Sequence, residues 1–222
     1  MNTPPLSSQL QAKLNRLNKH LESCGALVVG FSGGTDSTLL LHCAHGVLRD
    51  RVMAATIDTP YIPRSELAEA CTFAAKLGVR HHVLTLPIPN AIRDNPPDRC
   101  YRCKKILFDE IAGFAATMGA RVADGSNADD QPSQRPGMRA LTELNVCSPL
   151  REAGLTKEDI RTLSRHAQLP TAHKPANSCL MTRLPTGTLV QESVLSCIEQ
   201  GEDAIRAMGF PEVRLRTHGC VA

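Results

Sequence analysis

Two groups of residues in this 222-residue chain carry chemistry. The first is Ser32-Gly33-Gly34-Thr35-Asp36-Ser37. Its glycines let the backbone turn sharply and come close to a ligand. A helix opening at Asp36-Ser37 would aim free N–H groups and the positive end of its dipole at an anion. Hydroxyls of Ser32 and Ser37 would add hydrogen bonds to phosphate oxygens. Asp36, an acid in a phosphate site, would hold Mg²⁺ against them. A tight turn needs no ligand, but the full string between a buried strand and a helix favours phosphate binding. It is not a Walker A loop, because no Gly-Lys-Ser/Thr follows, and the dinucleotide pattern G-x-G-x-x-G is absent.

The second group is cysteine, nine in all. With no export signal in view, disulfides are improbable, so a clustered pair reads first as metal-binding or catalytic. Cys100-Tyr101-Arg102-Cys103 stands at a helix start, and Cys179 ends the loop Lys174-Pro175-Ala176-Asn177-Ser178-Cys179. A C-x-x-C at a helix start favours thiolates, and Arg99, Arg102, Lys104 and Lys105 would add to that. Three readings stand: coincidence, a structural zinc site with His173 as fourth ligand, or a [4Fe–4S] cluster on three thiolates with one iron open. Cys24, Cys43, Cys71, Cys147 and Cys197 lie in or beside apolar stretches and read as small core residues. Cys220 has no assigned place.

These residues must be positioned by the elements around them. Leu6, Leu10, Leu14, Leu17 and Leu21 recur at helical spacing. Ala26 to Phe31 reads as a buried strand, and a helix runs on through Val47. Strand follows over 52–57, helix over 65–77 with a stop at Gly78, and strand over 82–86. A Pro-rich loop covers 87–99, helix 101–118, and strand 121–124. Residues 125–137 read as loop, 156–167 as a helix capped by Thr156 and Asp159, and 169–190 as irregular. A last helix over 193–208 precedes a strand over 213–217. Short apolar strands alternating with helices predict an α/β fold, a Rossmann-like parallel sheet with helices on both faces.

Composition narrows the class. Hydrophobic residues at 42% and charged residues at 21% suit a soluble globular protein and exclude disordered, collagen and membrane classes. With no tryptophan, two tyrosines and five phenylalanines, few stacking platforms exist for nucleic acid. A net charge of +3 is too small to suggest that partner. The first twenty residues show no signal-peptide pattern, so a cytoplasmic location is expected.

The Ser32–Ser37 string resembles the SGGxDS loop of the PP-loop ATP pyrophosphatases, which split ATP to AMP and pyrophosphate while adenylating a substrate oxygen. Further strings narrow the resemblance. They are Asn95 through Lys105, Asp124-Gly125-Ser126-Asn127-Ala128-Asp129-Asp130, Arg135-Pro136-Gly137, Ser148-Pro149-Leu150, Gly154-Leu155-Thr156-Lys157, Lys174-Pro175-Ala176, Cys179, Arg183 and Val213-Arg214-Leu215-Arg216. In order and spacing they resemble the LarE family, ATP-dependent sulfur transferases of nickel-pincer nucleotide synthesis.

That resemblance implies a substrate, pyridinium-3,5-biscarboxylic acid mononucleotide, whose carboxylates are adenylated and converted to thiocarboxylates. It implies ATP on Ser32, Gly33, Gly34, Thr35, Asp36 and Ser37, and Cys179 as the sulfur-bearing cysteine. Cys100 and Cys103 would join Cys179 on a [4Fe–4S] cluster. Arg214 and Arg216 would contact the substrate phosphate, Arg183 and Lys104 would line the same site, and Glu202 would occupy an acidic metal-binding position. A homo-oligomer is also implied.

Two departures stand out: Ser133-Gln134 replace the usual Asp-Tyr before Arg-Pro-Gly, and the chain ends inside the first strand of a small C-terminal α/β domain. The expected organisation is an ATP pyrophosphatase domain over 1–170, a loop carrying Cys179 over 171–190, and the start of the smaller domain over 191–222. An acidic metal ligand would lie beyond that end.

Two other functions compete. A PP-loop tRNA thiolation enzyme shares the ATP loop and often three cysteines, but calls for a basic face or RNA-binding domains. A non-catalytic nucleotide- or metal-binding regulator would bind ATP without releasing pyrophosphate.

Overall fold

The computed structural model describes residues 5–131 and 136–217. Arg135 and Cys220 lie outside these described residues. The first helix, α1 (Ser8–Ser23), starts where the Ser7 side chain accepts from the Leu10 N–H, and it buries Leu10, Leu17 and Leu21 along one face. Then β1 (Leu27–Gly30), α2 (Thr35–Leu48), β2 (Val52–Asp58), α3 (Arg64–Leu77), β3 (Arg80–Thr85), α4 (Arg99–Ala116) and β4 (Arg121–Ala123) alternate along the chain. Gly78 ends α3 at φ +73°, with its own N–H on Ala75 O and the Val79 N–H on Ala74 O. That is the paired closure a left-handed residue permits.

The four strands are parallel in the order β3-β2-β1-β4. Successive strand residues point to opposite faces. Leu27, Val29, Val52 and Ala54 pack toward α1, α2 and α3, while Val28, Ala55, Ile57 and Val122 pack toward α4. The strand order reverses between β1 and β4. In open parallel sheets that reversal opens a crevice beyond the carboxyl ends of the strands. Two strings singled out from the sequence sit there: the phosphate loop after β1, and Asp124-Gly125-Ser126-Asn127 after β4.

The second half adds α5 (Gly137–Glu143), α6 (Pro149–Glu152), α7 (Lys157–His166) and α8 (Glu192–Ala207). The Thr156–Asp159 capping box that starts α7 forms in both directions. Helix α8 packs Leu195 and Ile198 into a separate apolar cluster with Tyr61, Ile88, Ile92, Leu180 and Met181. This cluster covers the ends of β2 and β3 and shelters Cys103 and Cys179.

Two expectations need correction. Residues 213–217 form no strand. The Leu215 N–H donates to the Glu202 carboxylate (3.0 Å) and the Thr217 N–H to Arg183 O, so these two groups are bonded to a side chain and a loop carbonyl and not to a partner strand. Helix α5 begins at Gly137, the last residue of the stretch that reads as loop, and continues where no element was expected. Cys197 is exposed, because α8 turns Leu195, Ile198 and Glu202 inward and leaves residue 197 on the opposite face. Cys24 and Cys147 are buried as expected, and all eight described cysteines are free thiols.

Candidate active site

The phosphate loop is built from its own backbone. Gly34 caps α2 with no side-chain hydrogen bond, so the first-turn N–H groups remain free to meet an anion. Ser32 Oγ and Ser37 Oγ lie 3.2 Å apart at the mouth of this turn. Gly33 takes φ +70°. Gly125 comes so close that an added Cβ would sit 2.9 Å from the Ser37 backbone nitrogen. Its lack of a side chain is therefore what lets the loop after β4 close against the phosphate loop. The Thr35 hydroxyl turns away to donate to Thr171 O at 3.0 Å, leaving its backbone N–H as its offering to the site.

Charges converge on this turn from distant parts of the chain. Lys157 Nζ donates to Asp36 Oδ1 at 2.6 Å, and Asn127 Nδ2 to Asp36 Oδ2 at 3.4 Å. Lys104 Nζ reaches Asp124 Oδ2 at 3.2 Å, and the Ser148 hydroxyl donates to Asp124 Oδ1 at 2.7 Å. Lys174 Nζ donates to Gly33 O at 3.2 Å and to Glu66 and Glu69 at 2.7 Å each. Burial opposes the charged form of Lys174, but the two carboxylates outweigh it and raise its pKa.

One cavity of about 470 Å³ joins these parts. Its lining runs from Ser32, Asp36 and Ser37 past Lys104, Asp124 and Lys174 to Cys179. A larger groove of about 1230 Å³ lies on the other side of Glu66 and the 174–177 loop and carries Arg206, Arg214 and Arg216. The two spaces share Glu66, Lys174, Pro175, Ala176 and Asn177 as a common wall.

Cys100 and Cys103 occupy the first turns of α4, and Cys179 immediately precedes a 3₁₀ turn at Leu180–Arg183. The three thiols are near enough to influence one another's ionisation. Burial pushes the Cys103 thiol up to about 11, against a hydrogen bond with Tyr61 Oη at 3.3 Å that favours the thiolate. Burial likewise raises Cys179, with Arg99 opposing it. The helix start is therefore outweighed here by desolvation, which sequence spacing does not show. Among the described residues, no three His, Cys, Asp or Glu side chains stand as a preformed metal site.

Arg183 and Glu202 face each other rather than either groove. Arg183 Nε donates to Glu202 Oε1 at 2.7 Å and Nη2 to Oε2 at 3.0 Å, with the residues 2% and 0% exposed.

A model of the NAD synthase family matches residues 9–98. The NH3-dependent NAD synthetase from Campylobacter jejuni superposes with a TM-score of 0.57 at 16% identity, covering 91% of this chain and 88% of that one. That likeness shows the fold. An uncharacterized protein of Synechocystis is 34% identical over 94% of this chain and 79% of its own. The pyridinium-3,5-bisthiocarboxylic acid mononucleotide synthase of Lactiplantibacillus plantarum is 34% identical over 96% of this chain and 79% of its own length. The chain belongs to the LarE family. It is an ATP-dependent enzyme of the PP-loop type, which sets aside a regulator without chemistry. Among its described residues no helix is long and apolar enough to cross a membrane.

In this LarE-family enzyme the structure brings Ser32, Gly34, Thr35, Asp36, Ser37, Lys104 and Cys179 to one cavity and Gly33, Arg214 and Arg216 to its neighbour. Residue-type reasoning passed over Lys157, Lys174, Asp124 and Glu66 as site residues. Three of them stand in the strings Asp124-Gly125-Ser126-Asn127, Gly154-Leu155-Thr156-Lys157 and Lys174-Pro175-Ala176, so a signal existed. Glu66 lies on an ordinary helix face and had none.

Proposed function

We propose that this enzyme is the sulfur transferase that converts the carboxylates of pyridinium-3,5-biscarboxylic acid mononucleotide to thiocarboxylates at the expense of ATP. The observation that carries it is the continuity of one cavity from the phosphate loop to the Cys179 thiol. In the first half-reaction a carboxylate oxygen attacks the α-phosphorus, the bond to pyrophosphate breaks, and an acyl-adenylate forms. In the second, sulfur at the sulfide level attacks the acyl carbon, and AMP leaves with the C–O electron pair. Carboxylate oxygen is a poor leaving group and AMP a good one, which is why ATP is needed.

The free N–H groups at the start of α2, with Ser32 and Ser37, hold the phosphates. Asp36 would bind Mg²⁺, exchanging its present contact with Lys157 for the cation. Lys157, Lys104 and Lys174 then place positive charge where pyrophosphate accumulates it. Arg214 and Arg216, in the adjoining groove, would grip the nucleotide's own phosphate through paired N–H donors.

Cys100, Cys103 and Cys179 match in type and number the three thiolates of a [4Fe–4S] cluster with an open iron, and binding it would draw their sulfurs together. Such a cluster would supply a site for the transferable sulfide. The buried, protonated state of Cys103 and Cys179 is the one metal binding would reverse, since coordinated thiols lose their protons.

The test follows pyrophosphate and thiocarboxylate with the pyridinium dicarboxylate and, separately, with bulk tRNA. Release with the pyridinium substrate and not with tRNA is expected; release driven by tRNA alone refutes the proposal. Anaerobic preparation should give about four irons per chain, lost in Cys100→Ala, Cys103→Ala and Cys179→Ala alike. Full iron in Cys100→Ala would show that three thiolates are not the ligand set.

A further inference from the structure

Every nitrogen of the Arg183 guanidinium is bonded within the protein. Besides the two bonds to Glu202, Nη1 donates to Ser178 O and Ser178 Oγ at 2.8 Å, to Thr182 Oγ1 at 3.0 Å, and to Cys179 O at 3.2 Å. Those groups are the backbone and flanking hydroxyls of the turn that carries Cys179. Glu202 is equally committed. It accepts from Arg206 Nη2 at 2.8 Å and from the Leu215 N–H at 3.0 Å. The Thr217 N–H donates to Arg183 O. Leu215 lies between Arg214 and Arg216, and Gly201 on α8 leaves room for its side chain: an added Cβ there would meet Leu215 Cδ2 at 2.8 Å.

We infer that the buried Arg183–Glu202 pair is a positioning device, which holds the Cys179 sulfur and the Arg214/Arg216 segment in one fixed relation across the wall between the two grooves. This reading rests on the function proposed above and deepens it. Sulfur transfer needs the acyl carbon and the sulfur in register while the substrate's phosphate is held elsewhere, and a guanidinium bonded to the Cys179 turn, paired with a carboxylate that accepts from the Leu215 N–H, supplies that register. Arg183 thus touches neither ATP nor substrate, and Glu202 is an anchor for guanidinium groups.

Removing Glu202 alone would leave the Arg183 charge buried and unpaired, whereas an apolar pair of similar volume keeps the core filled. The decisive variant is therefore Arg183→Met/Glu202→Leu, with ATP affinity and thermal melting as checks on folding. Two readouts are expected to move. Iodoacetamide should alkylate Cys179 in the metal-free protein several-fold faster, because its turn is no longer clamped. Thiocarboxylate formed per pyrophosphate released should fall about tenfold or more, as the adenylate is lost to water when sulfur is misplaced by a fraction of an ångström.

A uniform loss of stability would lower both products together and leave their ratio alone. Parental values of the alkylation rate and of the ratio in the folded double variant would overturn the inference. If the parent makes no thiocarboxylate at all, the functional proposal fails, and the alkylation rate still decides the clamp. Should the apolar pair not fold, Arg183→Lys decides on the same readouts, since one ammonium cannot serve Glu202 and the Ser178 and Cys179 carbonyls together.

Discussion

Replacing Cys179 by alanine should reduce thiocarboxylate formation by about 10³-fold or more, the scale on which loss of a reacting nucleophile is felt. The loss should fall on sulfur transfer and not on ATP binding. Cys179 is the cysteine on the lining of the cavity that begins at the phosphate loop, but no hydrogen bond joins it to that loop. Its contacts are with the apolar cluster around Tyr61 and Leu180 and, through its carbonyl, with Arg183 and Thr182. Alanine keeps those backbone contacts. Mass spectrometry of the product against a pyrophosphate assay separates the two half-reactions. If Cys179→Ala transfers sulfur within tenfold of the parent, the transferable sulfur does not depend on this residue.

Asp36→Asn should lower pyrophosphate release by about 10²- to 10³-fold, the scale on which a metal clamp on phosphate acts, with a raised Mg²⁺ requirement. The amide keeps the shape of the side chain but removes the charge that now pairs with Lys157 and would hold the cation. Its cost to folding should be small. A partly exposed acid in the first turn of a helix contributes about 0.3–1 kcal/mol through the dipole, far less than the catalytic loss. A magnesium titration of pyrophosphate release checks this. A variant with the parent's magnesium dependence would show that Asp36 is not the metal ligand.

Both predictions rest on a site that was only partly legible beforehand. The phosphate loop could be read directly, because six consecutive residues between a strand and a helix carry every part of it: the glycine turn, the hydroxyls and the free helix end. The cysteines were legible as a set through type and spacing. The ionisation of Cys103 and Cys179 was not, because it depends on how much apolar surface from Ile88, Ile92, Leu180 and Met181 packs against them.

The misread elements have local causes. Helices α5 and α6 are seven and four residues long, too short to display a period against their proline-broken surroundings. The alternation Val213-Arg214-Leu215-Arg216 has a strand's period, yet a strand exists only where another strand takes up its hydrogen bonds. Here a buried carboxylate takes one of them instead.

Fold class, the order of strands and helices as far as β4, and the phosphate turn were settled by the chain's own sequence. Each is encoded within a few residues, by hydrophobic period, capping and glycine placement. Tertiary structure alone decided the rest: that Lys157 meets Asp36 across 121 positions, that Lys174 ties the cysteine loop to Gly33, and that Arg183 turns to Glu202 rather than into a groove. A charged side chain can go to solvent, a ligand or a buried partner. Only the packing that excludes water around it selects among the three.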